Sequence, residues 1–361
     1  MNDFKKIFFK KKVLITGHTG FKGSWLTLWL LQLGAKVIGI SKDVPTKPSF
    51  FHLLKLNKKI VDLRFDLKNL NKTFNVFEKY RPNYLFHLAA QSLVKKSFKN
   101  PVETFTSNTF GTLNILECLR NTNRKITSVI ITSDKSYKNL ETNKGYVEND
   151  ILGGIDPYSA SKSSAEMVIN SYINCFLKEK KNIKIAVARA GNVVGGGDWS
   201  EDRLIPDCVK CWYEKKTAII RSPKSTRPWQ HVLEALRGYL ILAINLDNKK
   251  FLNGQHFNFG PKQNQNKNVI SFLKEIKINW KTVKWKVKKD LNFIQESKLL
   301  RLNSNKAKKL LNWQPILKFK ETAKLVTDWY MKFKKNPKFV YILSVNQINE
   351  YASKLRLSGK K

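Results

Sequence analysis

Val13-Leu14-Ile15-Thr16-Gly17-His18-Thr19-Gly20-Phe21-Lys22-Gly23-Ser24-Trp25-Leu26 is the stretch that decides the fold. Its first four residues form a short apolar, β-branched run, the pattern of a buried strand. Three glycines follow at a spacing of three. Residues 24–31 then read as a buried helix ended by Gly34. Between a strand and a helix each glycine has a task. Gly17 permits a tight turn, Gly20 lets the backbone approach a pyrophosphate, and Gly23 lets helix and strand pack closely. The helix N-terminus then turns its unpaired N–H groups toward the phosphates.

Working outward, Lys36-Val37-Ile38-Gly39-Ile40, Ile60-Val61-Asp62-Leu63, Tyr84-Leu85-Phe86-His87-Leu88-Ala89 and residues 126–131 read as further strands. Helix-like runs over 67–80 and 101–120 fill the gaps. Alternation at this pace predicts an α/β fold, a Rossmann-type doubly wound parallel sheet with helices on both faces. Ligands bind such sheets outside the carboxyl ends of the strands. After about Ala190 the rhythm changes. Gly195-Gly196-Gly197-Asp198-Trp199 reads as a loop, Pro206 opens a helix, and Arg227-Pro228-Trp229-Gln230-His231 is an aromatic, basic turn. The predicted division is a nucleotide-binding domain over 1–192, with a returning segment near 231–261, and a smaller mixed substrate lobe from 193–230 and 262–361. Residues 277–289, with Trp280 and Trp285 interleaved, read as an exposed two-faced strand.

The chain has 361 residues and is 42% hydrophobic, enough for a sizeable core. No apolar run reaches the length of a membrane span. The apolar run after the basic N-terminus is too short for a secretion signal, so a cytoplasmic protein is expected. The formal net charge is +40, carried mostly by Lys along the whole length. A nucleic-acid binder concentrates its charge on one face. Spread charge of this kind reads as composition, and no nucleic-acid partner is expected. Cys208-x-x-Cys211 has metal-ligand spacing, but no second Cys/His pair accompanies it, so no metal is expected. Isolated cysteines fit a reducing compartment.

The chemistry sits in two later segments. Tyr158-Ser159-Ala160-Ser161-Lys162 places a phenol and an amine one helical turn apart. A tyrosine with a pKa near 10 becomes a base only beside positive charge, which Lys162 supplies. Ser133 hydrogen-bonds the same substrate hydroxyl. This is a device for removing a hydroxyl proton while hydride leaves to a nicotinamide cofactor. Asp134 and Lys135 follow Ser133 directly. Once C4 of a hexose is a ketone its C5 proton is acidic, and an amine and an acid side by side suit removal of that proton and protonation of the departing C6 oxygen. At the end of the second strand, Ile40-Ser41-Lys42-Asp43 leaves NAD and NADP both open, since Asp43 falls late and Ser41 with Lys42 tolerates a 2′-phosphate. Asp62 and Leu63 are placed to meet the adenine edge, or else serve as turn residues.

The glycine spacing with Tyr-x-x-x-Lys is that of the extended short-chain dehydrogenases/reductases. Together with Pro45-Thr46-Lys47-Pro48-Ser49, His87-Leu88-Ala89-Ala90-Gln91, Thr132-Ser133-Asp134-Lys135, Asp156-Pro157-Tyr158 and Arg227-Pro228-Trp229-Gln230-His231-Val232-Leu233, it resembles the CDP-glucose 4,6-dehydratases from about residue 10 to about 330. Related dTDP-glucose and GDP-mannose dehydratases carry Glu where Lys135 stands. The resemblance implies a hydro-lyase with tightly bound NAD and no net redox change. Tyr158 would take the C4 hydroxyl proton, Lys135 the C5 proton, and Asp134 would protonate the C6 oxygen. It implies cofactor contacts from Gly17, Thr19, Gly20, Phe21, Lys22, Gly23, Ser41, Asp62, Leu63, Leu88, Ala89, Ala90, Asn108, Tyr158 and Lys162. Asn192 and Arg227 would hold the substrate diphosphate, and Gln91, His231 and the loop 196–199 would border the nucleotide sugar. A homodimer or homotetramer built on helices near 101–120 and 158–178, and a part in deoxy-sugar synthesis for cell-surface polysaccharide, are implied as well. Lys95 stands where the resemblance leads one to expect Arg, and Gln295-Glu296-Ser297 replaces an expected His-Glu-Ala. The competing readings are another nucleotide-sugar 4,6-dehydratase of the same superfamily, a 4-epimerase or reductase of the same fold in which Asp134 and Lys135 are not catalytic, and a basic nucleic-acid-binding protein.

Overall fold

The computed structural model describes residues 2–142, 144–262, 266–288 and 300–358. Its centre is a sheet of seven strands. Six are β1 (Lys12–Thr16), β2 (Lys36–Ser41), β3 (Val61–Arg64), β4 (Tyr84–His87), β5 (Ile126–Ser133) and β6 (Ile183–Ala190), and the seventh is the edge strand His256–Phe259. Their spatial order is His256–Phe259, β6, β5, β4, β1, β2, β3, and every pairing is parallel. This is the doubly wound sheet that the alternation predicts. β5 is buried at every position, and β1 at all but its first residue. Such near-continuous Val/Ile runs suit strands covered by helices on both faces.

The order reverses between β1 and β4, and the crevice at that point is where such sheets bind ligands. Gly17 begins the turn there with φ +75°, a conformation that favours glycine. A Cβ on Gly17 would stand 2.8 Å from the Cα of Ala89, so the two strand ends approach as closely as backbone allows.

Two apolar clusters cover the faces of the sheet. One centres on Phe77, Ile115, Leu119 and Ile169. The larger gathers Trp25, Trp29, Leu236, Trp313, Trp329 and Tyr351, and runs without a break from the sheet into the C-terminal half. That half holds three two-stranded ribbons, pairing 193–194 with 230–231, 226–228 with 266–268, and 218–220 with 285–287. Helices Leu204–Tyr213, Val269–Asn279, Phe319–Lys335 and Val340–Ser358 pack around them.

Two features differ from the sequence expectation. Residues 277–279 end a helix, and only Trp285–Val287 is a strand, because Ile276 and its apolar neighbours repeat at helical spacing. The final helix lies on the nucleotide-binding layer, with the Tyr351 ring 5.9 Å from that of Trp29 and Gln32 donating to the Tyr341 hydroxyl. The segment 295–297 lies outside the described residues. Among the described residues no helix is long and apolar enough to cross a membrane.

Candidate active site

The carboxyl ends of β1, β4, β5 and β6 bring the predicted residues to one place. The helix Phe21–Gln32 starts at Gly20, and no side chain caps it. Its first N–H groups are therefore left for a ligand. Gly23 sits so close to the loop that a Cβ would lie 2.1 Å from the carbonyl oxygen of Gly17. His18 is buried behind the loop, bonded to Ser41 Oγ (2.9 Å) and Asp62 Oδ1 (2.8 Å). Burial lowers its pKa, against the pull of Asp62. Thr19 donates its hydroxyl to the Asp43 carbonyl, 2.7 Å. Leu88, Ala89 and Ala90 are half-buried at the end of β4. The N–H of Ala89 donates to Thr16 Oγ1.

Ser133 ends β5 and Asp134 opens the next turn. The Ser133 hydroxyl donates to Asp134 Oδ1 (2.9 Å) and accepts from the N–H of Lys135 (3.2 Å). Asp134 is buried, and burial raises its pKa. The charges of Lys135 and Lys22 and the Ser133 bond act the other way. The net effect is upward, toward the form that holds its proton.

Tyr158 and Lys162 come from the helix Pro157–Tyr172, whose start is fixed by Asp156 accepting from the N–H groups of Tyr158 and Ser159 at 3.0 Å each. Tyr158 is buried, and its pKa is pushed up to about 12 by that burial. A hydrogen bond with Ser133 and the charge of Arg203 pull it down, while Asp134 pushes it up. Lys162 is lowered to about 8, first by burial and then by Lys22, with Glu166 opposing. Lys22 is likewise lowered to about 8 by burial and by Arg203, with Asp134 opposing. His87, on β4 beneath the cluster, is bonded to Thr16 and Thr112 and pushed down to about 3 by burial and Lys162, so it carries no charge.

Asn192 is exposed just past β6. The neighbouring Gly191 is pressed between Asp134 and Pro228: a Cβ there would lie 3.0 Å from Asp134 Oδ2 and 3.7 Å from the Pro228 side chain. The strand that carries Arg227 therefore reaches the same strand end as Asp134.

Several expectations change. Gln91 turns its amide into its own loop, bonding both the N–H and the carbonyl of Leu93 as well as Thr104. Asn108 is fully buried, and its amide bonds Gln91 backbone and Ser161. It braces the loop at Gln91 against the helix Pro157–Tyr172. His231 is fully buried and caps the helix Val232–Asn248, its Nδ1 accepting the N–H of Leu233. Asp62 is held by His18 and Arg64. Residues 195–199 are interior: a Cβ on Gly196 would stand 2.0 Å from the Trp329 ring, and Trp25 donates to the Gly196 carbonyl. That loop meets the site through Arg203, which Asp198 holds at 3.1 Å. Arg203 was not singled out in the sequence. Its signal lay only in a cation just ahead of Leu204-Ile205-Pro206. Cys208 is buried, and no group of metal-ligating side chains occurs among the described residues.

A glycine loop at the switch point, a Tyr-x-x-x-Lys pair and a serine on the neighbouring strand end define an α/β nucleotide-binding enzyme of the extended short-chain dehydrogenase/reductase class. Within that class the chain belongs to the GDP-mannose 4,6 dehydratase family, whose sequence pattern matches residues 14–326. It is 39% identical to the CDP-glucose 4,6-dehydratase of Salmonella typhimurium over 95% of this chain and 96% of that protein. It is 28% identical to the UDP-glucuronate 4-epimerase of Thermodesulfobacterium geofontis, over 88% of this chain and 95% of that one. Among solved structures, the dTDP-glucose 4,6-dehydratase from Bacillus anthracis in complex with NAD superposes with a TM-score of 0.73 at 21% identity, covering 90% of this chain and 98% of that one.

Proposed function

We propose that this protein is a CDP-glucose 4,6-dehydratase, converting CDP-D-glucose to CDP-4-keto-6-deoxy-D-glucose and water. The observation that carries the reading is the placement of Asp134, with burial favouring its acid form, and of Lys135 at the same strand end as Ser133 and Tyr158. An epimerase uses the serine, tyrosine and lysine alone. The choice of CDP-glucose rests on the Salmonella relative.

The nucleotide loop fits a dinucleotide. Its helix end is uncapped, and Gly17 and Gly23 leave no room for side chains at the turn. NAD fits better than NADP, because the cations at the ends of β2 and β3 already have acidic partners: Lys42 with Glu103 and Asp66, and Arg64 with Asp62. Gly17, Thr19, Gly20, Phe21, Lys22 and Gly23 would hold it, with Ser41, Asp62, Leu63, Leu88, Ala89 and Ala90 beside it. When bound, NAD supplies a hydride acceptor that later returns the hydride to C6.

Tyr158 takes the proton of the C4 hydroxyl, and Ser133 orients that hydroxyl. The Lys162 ammonium and the Arg203 guanidinium lower the cost of the tyrosinate. Lys135 removes the C5 proton, made acidic by the C4 ketone. Asp134 donates its proton to the C6 oxygen, which leaves as water. The exposed amide of Asn192 and the guanidinium groups of Arg203 and Arg227 receive the substrate diphosphate, arginine offering paired donors. The helices over 94–121 and 157–177 expose Phe98, Val102, Phe110, Met167 and Phe176, apolar surface suited to a homodimer or homotetramer. Free cysteines and a nucleotide-sugar substrate fit the cytoplasm.

Incubation with NAD⁺ and CDP-glucose, with dTDP-glucose and GDP-mannose in parallel, is followed by proton NMR. A new C6 methyl doublet from CDP-glucose alone is expected. Unchanged CDP-glucose, or a 4-epimer without a methyl signal, contradicts the reading.

A further inference from the structure

Behind the catalytic residues lies a buried polar network that the proposed chemistry leaves unused. Glu166 is fully buried on the helix Pro157–Tyr172, one turn past Lys162 and two past Tyr158. Its carboxylate holds Arg189 of β6 through two parallel bonds, Nε–Oε1 at 2.8 Å and Nη2–Oε2 at 2.9 Å. The hydroxyl of Thr132, the residue before Ser133, donates to the same Oε1. His256 Nε2, on the edge strand, stands 3.3 Å from Oε2.

Arg189 extends the network toward Lys135. Its Nη1 donates to the Tyr137 hydroxyl (2.7 Å) and to the Glu148 carbonyl (2.8 Å). The Tyr137 hydroxyl donates to Asn258 Oδ1, and the Tyr137 ring stacks on Tyr146 at 5.2 Å. Ser163, on the catalytic helix, donates to the carbonyl of Ser136. One carboxylate thus joins the helix bearing Tyr158 and Lys162 to the strand end bearing Ser133. One guanidinium joins both to the segment that follows Lys135.

A buried ion pair is a poor source of stability, since apolar residues of similar volume often do as well. It is a strong source of register, because a forked pair tolerates only one geometry. We propose that Glu166, clamped to Arg189, is a positioning residue that holds Tyr158 and Lys162 at a fixed separation from Ser133, Asp134 and Lys135, and so couples oxidation at C4 to elimination across C5 and C6. The proposal rests on the dehydratase reading.

Glu166 also sets the field at Lys162. Burial opposes its charge, but Arg189 and His256 hold its carboxyl down at about 2, so it stays negative. Around Lys162 stand Glu166 and Tyr158 on its own helix, Lys22 on the nucleotide loop, and an uncharged His87 on β4. Around Glu166 stand Arg189, His256 and Thr132. Neutralising Glu166 removes the negative charge that raises Lys162 and strands the Arg189 cation nearby. The Lys162 ammonium then gives up its proton at lower pH.

The test compares wild type with Glu166→Gln, the double variant Glu166→Gln/Arg189→Met, and Thr132→Val, by kcat, KM, pH profile and melting temperature on the NAD-loaded protein. Glu166→Gln should lower kcat roughly ten- to hundredfold, the scale of a small misplacement, with little change in KM. Its alkaline limb should move down by about one pH unit. The double variant strands no charge, so it should regain melting temperature without regaining kcat. If Glu166→Gln does not fold, Thr132→Val still cuts the link between helix and strand end, and should lower kcat several-fold at an unchanged melting temperature. Recovery of kcat together with melting temperature in the double variant, or a wild-type kcat in Thr132→Val, overturns the positioning role. Wild-type turnover is measured first. An active wild type with indifferent variants defeats this inference alone, whereas an inactive wild type defeats the dehydratase reading as well.

Discussion

The two halves of the candidate site meet the same physical force with opposite results. Asp134 and Tyr158 are both buried, and burial favours the neutral form of each. For Asp134 this is the form its proposed role needs, since an acid must hold its proton until C6 oxygen leaves. For Tyr158 it is the wrong form, since a base must be ionised. Burial therefore pushes the elimination half toward its working form, against the charges of Lys135 and Lys22. The oxidation half must be supplied with positive charge: Arg203 acts on the tyrosine, and Lys162 follows it one turn along the same helix. The comparison teaches that substitutions of charge should disturb oxidation more than elimination, whereas substitutions of shape near Asp134 should do the reverse.

The largest effect is expected at Tyr158. Tyr158→Phe removes the base of the first step, and product formation measured by NMR should fall by about 10³-fold or more, within the range of general acid–base catalysis. A loss under tenfold would break the assignment of the oxidation half. Next comes Lys135→Met, expected to cost about 10²–10³-fold in methyl product while oxidation at C4, followed by absorbance at 340 nm, persists. Loss of both signals together would erase the division into halves. Wild-type methyl product would assign Lys135 a loop-ordering role.

A smaller change sharpens the comparison through pH. Lys162 must stay charged to favour the tyrosinate, and its pKa lies at about 8. Activity should therefore be lost as pH rises through that value. Lys22 repels Lys162, so Lys22→Met should move the alkaline limb upward, by about one unit or less. A downward movement would show that Lys22 acts on a different group. The smallest effect concerns the scaffold. Gly196→Ala forces a methyl group against Trp329 and should cost about 2 kcal/mol in denaturant unfolding while leaving the pH limbs in place. An unaffected midpoint would show that the loop repacks freely.

What was legible in the sequence is what is local in the chain. The glycine loop and the Tyr158/Lys162 pair are each set by a spacing of three or four residues, and Asp134 follows Ser133 directly. The sheet was legible because its strands are continuous apolar runs punctuated by glycine. What was not legible depends on chain crossings. Arg203 reaches the site from the loop beyond β6, held there by Asp198. His231 became a helix cap and Asn108 a brace because their partners, Leu233 N–H and Ser161, are fixed only once the helices pack. The glycines at 195–197 read as a loop, and packing gives the reason for two of them: Gly196 admits the ring of Trp329 and Gly197 that of Phe50. The final helix returns to Trp29 because Ile348 and Tyr351 lie on its buried face, a pairing that its own periodicity does not name.

The central claim is that one site performs both halves on one sugar. Its most direct test is CDP-glucose carrying deuterium at C4, incubated with the protein and NAD⁺ in ordinary water and read by NMR. The account predicts that the C4 deuterium appears in the C6 methyl group of a 4-keto product, with hydrogen from water at C5. Deuterium retained at C4, or a product whose C6 still bears oxygen, would contradict it.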